Sequence, residues 1–190
     1  KRIQSRLRAA HLRGCPQELS NCINSAEREY LPRGITETLA ALDFIDSGLN
    51  VCILGPSDSG KSYLAKALGI VACNNYKVEY HHCETLLETL VALKAQDYSK
   101  YQKRLKKICG AALLILDDFL LHTITDEREV KVLFEILEKR CEINLSTIIC
   151  SQREPASWSS MILNDEVSAN AILKRATKHY TVVIKPNITD

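Results

Sequence analysis

The segment 55–62 constrains the fold of this chain most, because it reads Gly-Pro-Ser-Asp-Ser-Gly-Lys-Ser and matches G-x-x-x-x-G-K-[ST] at every required position. An apolar run at 50–54 predicts a strand before it, and apolar residues at helical spacing predict a helix over about 60–73. Glycines let the backbone curve around phosphate groups, and successive N–H groups at a helix N-terminus supply partial positive charge. The segment is therefore predicted to be a phosphate-binding loop between a strand and a helix.

The side chains of this loop predict a bound nucleotide. Lys61 is expected to reach the β- and γ-phosphates of ATP, and the Ser62 hydroxyl is expected to ligate Mg²⁺. The alternative, a glycine-rich turn without a catalytic role, is disfavoured by the flanking strand and helix. The predicted nucleotide-binding residues are Gly55, Pro56, Ser57, Asp58, Ser59, Gly60, Lys61, Ser62 and Tyr63.

Strands alternate with helices along the rest of the chain. A helix is predicted over 36–46 and is expected to end at Gly48. Four further strands are predicted at 77–81, 111–117, 146–150 and 180–184, separated by segments of helical periodicity. This alternation predicts right-handed crossovers and an α/β fold of three layers, the P-loop NTPase architecture, with a central parallel sheet of five strands. Ligands bind at the carboxyl ends of the strands in such a sheet. Side chains that follow strands are therefore the candidate catalytic residues.

Two aspartates close the most apolar predicted strand. Asp117 and Asp118 follow Leu113-Leu114-Ile115-Leu116, where burying carboxylates without a cation would be costly. Asp117 fits the Mg²⁺-coordinating acid of a P-loop ATPase, and Asp118 fits the base that orients the attacking water. The alternative is that both carboxylates only cap the following loop. With a phosphate-binding loop upstream, the catalytic interpretation is favoured.

Two other positions are catalytic candidates with open alternatives. Gln152 follows the predicted strand 146–150 and is a candidate to contact the γ-phosphate or the attacking water, although Ser151 is an alternative and so is a purely structural loop contact. Arg175 lies near the end of a helix predicted over 164–177. It is either an arginine finger acting on ATP held by a neighbouring subunit or an ordinary surface arginine.

The positive charge is unevenly distributed, although the formal net charge is only +2. We predict a basic N-terminal segment at 1–28, separate from an ATPase core at 29–190. A second basic cluster falls within eight residues and comprises Lys100, Lys103, Arg104, Lys106 and Lys107. Such clusters indicate either solvated helix faces or contact with phosphate backbones. Because no self-sufficient reader motif is present, any contact with DNA is expected to be nonspecific and sensitive to salt.

Composition indicates a cytoplasmic protein without membrane contact. No apolar run approaches the roughly 20 residues of a membrane span, and the first residues lack the apolar core of a signal peptide. The eight cysteines include no C-x-x-C pair, and several lie inside apolar strands. They are predicted to be reduced, buried thiols rather than metal ligands or disulfides.

These motifs together resemble the IstB-like ATP-binding proteins. The resemblance covers about 29–185 and includes the loop, Asp117-Asp118-Phe119, the segment 146–152, Trp158 and the segment 171–175. Members of this family are AAA+ ATPases, similar to DnaC-type helicase loaders, and help insertion sequences to transpose. The phosphate-binding loop alone is generic, whereas the combination in this order is fairly specific.

The resemblance implies an ATPase that forms homo-oligomers on duplex DNA and recruits a transposase. It implies that Asp117 is the Walker B acid, Asp118 the catalytic acid, Gln152 the sensor I residue and Arg175 the arginine finger. It also implies that the helical segment 84–108 faces DNA, with contacts from Lys103, Arg104, Lys106, Lys107 and the basic N-terminus. The alternatives are a DnaC-like loader that acts on a replicative helicase and, less favoured, a small-molecule kinase, for which no arginine-rich lid is present.

The sequence departs from the family pattern at three places. Sensor I is commonly Asn where this chain has Gln152, and the position before Arg175 is often Asp where this chain has Lys174. The chain reaches Asp190 just past the last predicted strand, so we expect a short or truncated C-terminal lid. The sequence leaves open the oligomer size, the DNA sequence preference and the choice between transposase and helicase as partner.

Overall fold

The computed structural model describes residues 1–162 and 166–187 of the 190-residue chain. Within these residues the helices are α1 (Arg2–Ala9), α2 (Ile35–Ala40), α3 (Asp43–Asp46), α4 (Lys61–Ala72), α5 (Cys83–Gln96), α6 (Tyr98–Cys109), α7 (Glu127–Glu142) and α8 (Glu166–Thr177). The strands are β1 (Arg28–Leu31), β2 (Asn50–Leu54), β3 (Val78–His82), β4 (Leu113–Asp117), β5 (Ser146–Ser151) and β6 (His179–Pro186).

The strands form one mixed sheet in the order β1-β6-β2-β5-β4-β3. The five predicted strands are β2 to β6, and every pairing among them is parallel, which confirms the predicted parallel core of the sheet. The sixth strand, β1, was not predicted from the sequence and pairs antiparallel with β6 at the edge. Its sequence, Arg-Glu-Tyr-Leu, has a single buried side chain, Tyr30, and so lacks the apolar run of the central strands.

Helices cover both faces of the sheet and complete the predicted three layers. Side chains alternate between the faces along each strand. On β4, Leu114 and Leu116 join a buried cluster with α5, α6, α7 and α8, whereas Leu113 and Ile115 join one with α2, α3 and α4. β4 and β5 are buried along their whole lengths, as expected of central parallel strands.

Two predicted helices differ in their bounds. The helix expected over 36–46 is split into α2 and α3, because Leu42 adopts a left-handed conformation with φ 63°. The helix expected over 164–177 corresponds to α8, and positions 164 and 165 lie outside the described residues. Gly48 has φ 64° after α3, as predicted for a residue that ends a helix.

The N-terminal segment packs on the core. Ala10, Leu12 and Cys22 are buried in the cluster that contains α4, and the Arg6 guanidinium donates hydrogen bonds to the carbonyls of Cys73 and Asn74 at 3.3 and 2.5 Å. The division into 1–28 and 29–190 stays a prediction. All eight cysteines are free, and six of them are buried. In the part of the chain that the structure describes, every helix is too short or too polar to cross a membrane.

A buried arginine joins α6, α7 and β5. The Arg140 side chain is almost fully buried, and burial lowers the pKa of its guanidinium to about 10. Its donors bond to four carbonyls and one hydroxyl, those of Ile108, Cys109, Ala111, Ser146 and Thr147. Because every acceptor is neutral, Arg140 fixes the packing of the three elements without an ion pair.

Candidate nucleotide-binding site

The loop 55–60 follows β2 and leads directly into α4, as the sequence predicted. Gly60 precedes the first helical residue with φ 100°, a conformation that side chains rarely adopt. A Cβ atom at Gly55 would lie 2.7 Å from the Ile184 carbonyl oxygen, which leaves no room for a side chain. Both glycines are therefore required by local geometry, and the N-terminus of α4 points partial positive charge at the loop.

Lys61 lies at the start of α4, with its side chain against the loop. Its ammonium donates a hydrogen bond to the Pro56 carbonyl at 2.6 Å. Partial burial lowers the pKa of Lys61, while the nearby carboxylates of Asp117 and Asp118 act in the opposite direction. A cation in this position suits an anionic ligand, because phosphate oxygens would replace a neutral carbonyl as its acceptor.

Strand register explains how distant residues reach this loop. Leu54 pairs with Ser151 across β2 and β5, so the following residues, Gly55 and Gln152, leave the sheet side by side. On the other side of β5, β4 delivers Asp118 to the same edge. The result is a cleft of about 420 Å³ lined by Ser57, Asp58, Gly60, Lys61, Ser62, Tyr63, Asp118, Phe119, Leu121 and Gln152.

Asp117 is fully buried beneath this cleft. One carboxylate oxygen accepts a hydrogen bond from the Tyr80 hydroxyl, and the other accepts from the Asp118 N–H at 2.9 Å. Burial and the hydrogen bond to Asp117 raise the pKa of Tyr80 well above its ordinary value, so Tyr80 is a persistent donor. Asp117 is thus held in place by two donors, and one of them comes from a neighbouring strand.

Asp118 turns away from the sheet into the cleft. Its φ of 51° ends β4, and its Oδ2 lies 3.0 Å from His82 Nδ1. His82 is opposite Asp117 in the β3–β4 register. Neither Tyr80 nor His82 was predicted from the sequence to belong to the site. His82 lies one residue beyond the strand predicted at 77–81. It therefore lies where ligands are expected to bind, at the carboxyl end of a strand.

A divalent cation fits this edge of the sheet. His82, Asp117 and Asp118 each offer a ligand atom, and these atoms lie within 4.8 Å of one another. Mg²⁺ prefers oxygen ligands and is commonly held by one or two carboxylates plus substrate phosphates. The carboxylates of Asp117 and Asp118 match that preference, while Lys61 and the loop N–H groups match the phosphates.

The structure separates the two sensor candidates. Ser151 is buried, and its hydroxyl donates to the Phe119 carbonyl at 2.8 Å and accepts from the Arg153 N–H at 3.1 Å. Gln152 is exposed and lines the cleft. Since Ser151 already uses its hydroxyl within the fold, Gln152 is the residue placed to meet a ligand.

Arg175 does not reach the cleft of its own chain. It is exposed at the end of α8, and its carbonyl accepts a hydrogen bond from Asn50 Nδ2 at 3.3 Å. Asn50 begins β2, whereas the phosphate-binding loop follows the last residue of that strand. Four steps of about 3.3 Å put the two ends roughly 13 Å apart. Arg175 therefore lies near the amino ends of the parallel strands, whereas the loop lies at their carboxyl ends.

Comparison with known proteins assigns the family. A sequence model described as IstB-like ATP binding protein matches residues 1–187. The chain belongs to the IstB-like ATP-binding protein family. This IstB-like chain is 40% identical over 176 residues, 92% of its length, to Sinorhizobium fredii y4uH, whose name describes an insertion-sequence ATP-binding protein. It is 32% identical over 154 residues, 80% of its length, to a Pseudomonas aeruginosa protein named for ATP binding and the insertion sequence IS21.

The IstB-like chain spans 68% of the length of y4uH and 56% of the length of the IS21 protein. Among solved structures, the crystal structure of the DnaC helicase loader is similar, with a TM-score of 0.69 at 19% identity, covering 89% of this chain and 97% of that chain. At this identity the likeness concerns the fold. It confirms the predicted three-layer α/β fold of P-loop NTPases.

The cations of the second basic cluster of this IstB-like chain differ in whether they have a carboxylate partner. Arg104 and Lys107 each lie 3.2 Å from a carboxylate oxygen of Glu79, which is buried. Lys103 and Lys106 are exposed on α6. Of the four cations predicted to contact DNA, two thus have a carboxylate partner within the fold, a long-range pairing that the local sequence could not reveal.

Proposed function

We propose that this chain is an ATPase that acts as a transposition helper: it binds and hydrolyses ATP, assembles into a homo-oligomer on duplex DNA, and recruits a transposase. The observation that carries the proposal is the single cleft that unites Lys61, Asp118 and Gln152 in a member of the IstB-like family. The names of two relatives connect them with insertion sequences. The chain spans only part of the length of those relatives. The proposed activity and partners are therefore those of the whole protein, and the proposed contacts are those of the residues that the structure describes.

In the proposed reaction, Lys61 and the N–H groups of the loop bind the β- and γ-phosphates, and Ser62 and Asp117 hold Mg²⁺. Bound Mg²⁺ would supply positive charge to the phosphate oxygens. Asp118 accepts the proton of the attacking water and is oriented by the His82 ring at 3.0 Å. Gln152 lies across the cleft and orients the water or the γ-phosphate.

Arg175 is proposed to complete the site of a neighbouring subunit. Its place near the amino ends of the strands supports action in trans, since the guanidinium cannot span roughly 13 Å of strand to its own loop. A guanidinium donated by a second copy would stabilise the negative charge that develops on the transferred phosphoryl group. Hydrolysis then depends on assembly.

The proposed DNA contact is electrostatic. Lys103 and Lys106 on α6 and Arg2 and Arg8 on α1 offer exposed cations for backbone phosphates. Such contact is nonspecific and weakens steeply with salt. A helicase loader is the second candidate, supported by the fold similarity over almost the whole length of the DnaC loader structure.

One experiment separates the two functions. The protein would be mixed with duplex or single-stranded DNA, with and without ATP, and its mass measured by light scattering. The helper predicts ATP-dependent oligomers on duplex DNA, and the loader predicts a preference for single strands. A protein that stays monomeric under all conditions would contradict both. A pull-down with purified transposase, with replicative helicase as the competitor, then identifies the partner.

A further inference from the structure

A second concave surface lies beside the nucleotide cleft, at the sheet edge formed by β3. This groove has a volume of about 490 Å³ and is bounded by the chain after α1, by α4, β3 and α5, and by α6. Its lining residues are His11, Lys66, Tyr80, His81, His82, Thr85, Leu86, Thr89, Leu90 and Arg104. None of these lining residues is Asp or Glu.

One carboxylate beside the groove, that of Glu79, is covered. Glu79 has 3% of its side chain exposed and is bound by His81 at 2.6 Å, by Arg104 at 3.2 Å and by Lys107 at 3.2 Å. Lys66, on the far side of the groove, has its ammonium 5.3 Å from the centre of the Tyr80 ring. Among the described residues it has no carboxylate partner within 4 Å. Arg104 and Lys107 thus share the Glu79 carboxylate, and with Lys66 the positive charge around the groove exceeds the charge of Glu79.

The pKa of His11 is affected by the same positive charges. Its ring contacts the ring of His81 edge-on, with the centroids 5.7 Å apart. Burial lowers the pKa of His11, the neighbouring His81 and the charges of Arg104 and Lys107 lower it further, and Glu79 acts in the opposite direction. A group bound here that carried negative charge would reduce this repulsion.

The excess charge extends past the groove. A neighbouring groove of about 390 Å³ between α1 and α6 is lined by Arg6, Lys77, Lys106 and Lys107, among others. Lys107 connects the two grooves, because it shares Glu79 with Arg104. The basic N-terminal segment and the second basic cluster, about 100 residues apart in sequence, therefore meet on one surface along the edge strand.

We propose that the groove bounded by Lys66, His11, His81 and Arg104 binds a phosphoryl oxyanion, supplied by the backbone of nucleic acid. Two cationic side chains and three imidazoles line it and no carboxylate does, although Asp118 bonds to one of the imidazoles, that of His82. This composition suits a diffuse negative charge. The inference rests on the proposed DNA contact for the source of the anion only. Free phosphate has the same chemistry and is distinguished by the test.

The test removes Lys66, which lies outside the nucleotide cleft. The logarithm of duplex affinity is measured against the logarithm of salt concentration for the full chain and for Lys66→Ala, Lys66→Arg and Lys131→Ala. Lys131 is the matched control, an exposed helical lysine paired with Glu127 at 3.4 Å. Loss of one phosphate contact reduces the slope by about 0.9. We expect that reduction and an approximately fivefold weaker affinity at low salt for Lys66→Ala alone, with Lys66→Arg close to the unmodified chain.

A second experiment tests whether the groove binds free phosphate. In a Lys61→Ala background, which disables the phosphate-binding loop, the thermal stabilisation by inorganic phosphate is compared with and without Lys66→Ala. Stabilisation that needs Lys66, combined with an unchanged salt slope, assigns the groove to free phosphate even if the chain binds no DNA. If Lys66→Ala alters neither the slope nor the phosphate stabilisation, while circular dichroism shows an intact fold, the proposal is overturned.

Discussion

The two ends of the parallel strands differ in how many candidate catalytic residues they bring together. At the carboxyl ends of the strands, the loop, Asp118 and Gln152 of one chain line a single cleft, and Asp117 is buried beneath it. At the opposite ends of the strands, Arg175 is exposed; among the described residues its hydrogen bonds go to its own helix and, through its carbonyl, to Asn50. We therefore expect that one chain binds the nucleotide and that full hydrolysis requires two.

Removing the loop cation should affect the most steps, because hydrolysis depends on ATP binding. Lys61→Ala deletes the ammonium that faces the phosphates, and ATP affinity should fall by about a hundredfold, equivalent to about 3 kcal/mol. Titration with a fluorescent ATP analogue measures the change, and Lys131→Ala serves as the control. Unaltered ATP affinity would mean that the carboxyl ends of the strands do not bind the phosphates.

The next prediction concerns Arg175, near the amino ends of the strands. Arg175→Ala should reduce turnover by about a thousandfold in the assembled protein and leave ATP affinity unchanged, because a donated guanidinium acts on the transition state. Mixing Arg175→Ala with Lys61→Ala should restore part of the activity, since each variant supplies what its neighbour lacks. If the mixture stays inactive although mixed oligomers form, the trans assignment is wrong.

Replacing the candidate base should separate binding from chemistry at the carboxyl ends of the strands. Asp118→Asn keeps the shape of the side chain but cannot accept the proton, so turnover should fall by about a hundredfold with ATP binding retained. Single-turnover hydrolysis and binding are measured on the same preparation. Rapid hydrolysis by Asp118→Asn would refute the assignment.

The smallest effect concerns stability next to the second groove. Burial opposes ionisation of Glu79, but the hydrogen bond from His81 and the charge of Arg104 prevail and lower its pKa to about 2, below the ordinary value of 4.5. The ionised form therefore stabilises the folded state fully above about pH 4.5, and this contribution is lost as the pH falls towards 2.

Glu79→Gln should accordingly reduce the free energy of unfolding near neutral pH by an amount on the order of 2 kcal/mol. The difference from the unmodified chain should shrink between about pH 4.5 and 2. Denaturant titrations across this range measure it. A difference that does not vary with pH would show that ionisation of Glu79 is not the cause.

The sequence predicted the parts of the site that local patterns encode. The loop has a fixed spacing, and Asp117 and Asp118 end a continuous apolar run, so both could be located from neighbouring residues alone. The five parallel strands could be predicted for the same reason. Positive φ at Leu42, which divides one predicted helix, has no local sequence signal.

What the sequence could not predict depends on pairing between strands and helices. Tyr80 and His82 reach the two aspartates only because β3 lies beside β4 in a particular register. Arg104 and Lys107 look like free cations until Glu79 is placed beneath them. Similarly, β1 exists because β6 offers it an edge, which a four-residue segment with two charged residues does not reveal.

The hydroxyl of Ser151 has a further consequence. Together with the Phe119 N–H, which donates to the Cys150 carbonyl at 2.8 Å, it fastens the turn after β4 to the end of β5. Asp118 precedes one end of this fastening and Gln152 follows the other, so the spacing between base and amide is established when the chain folds. Little conformational entropy remains to be lost there when a nucleotide arrives, and a site preorganised in this way can use more of its binding energy on the transition state.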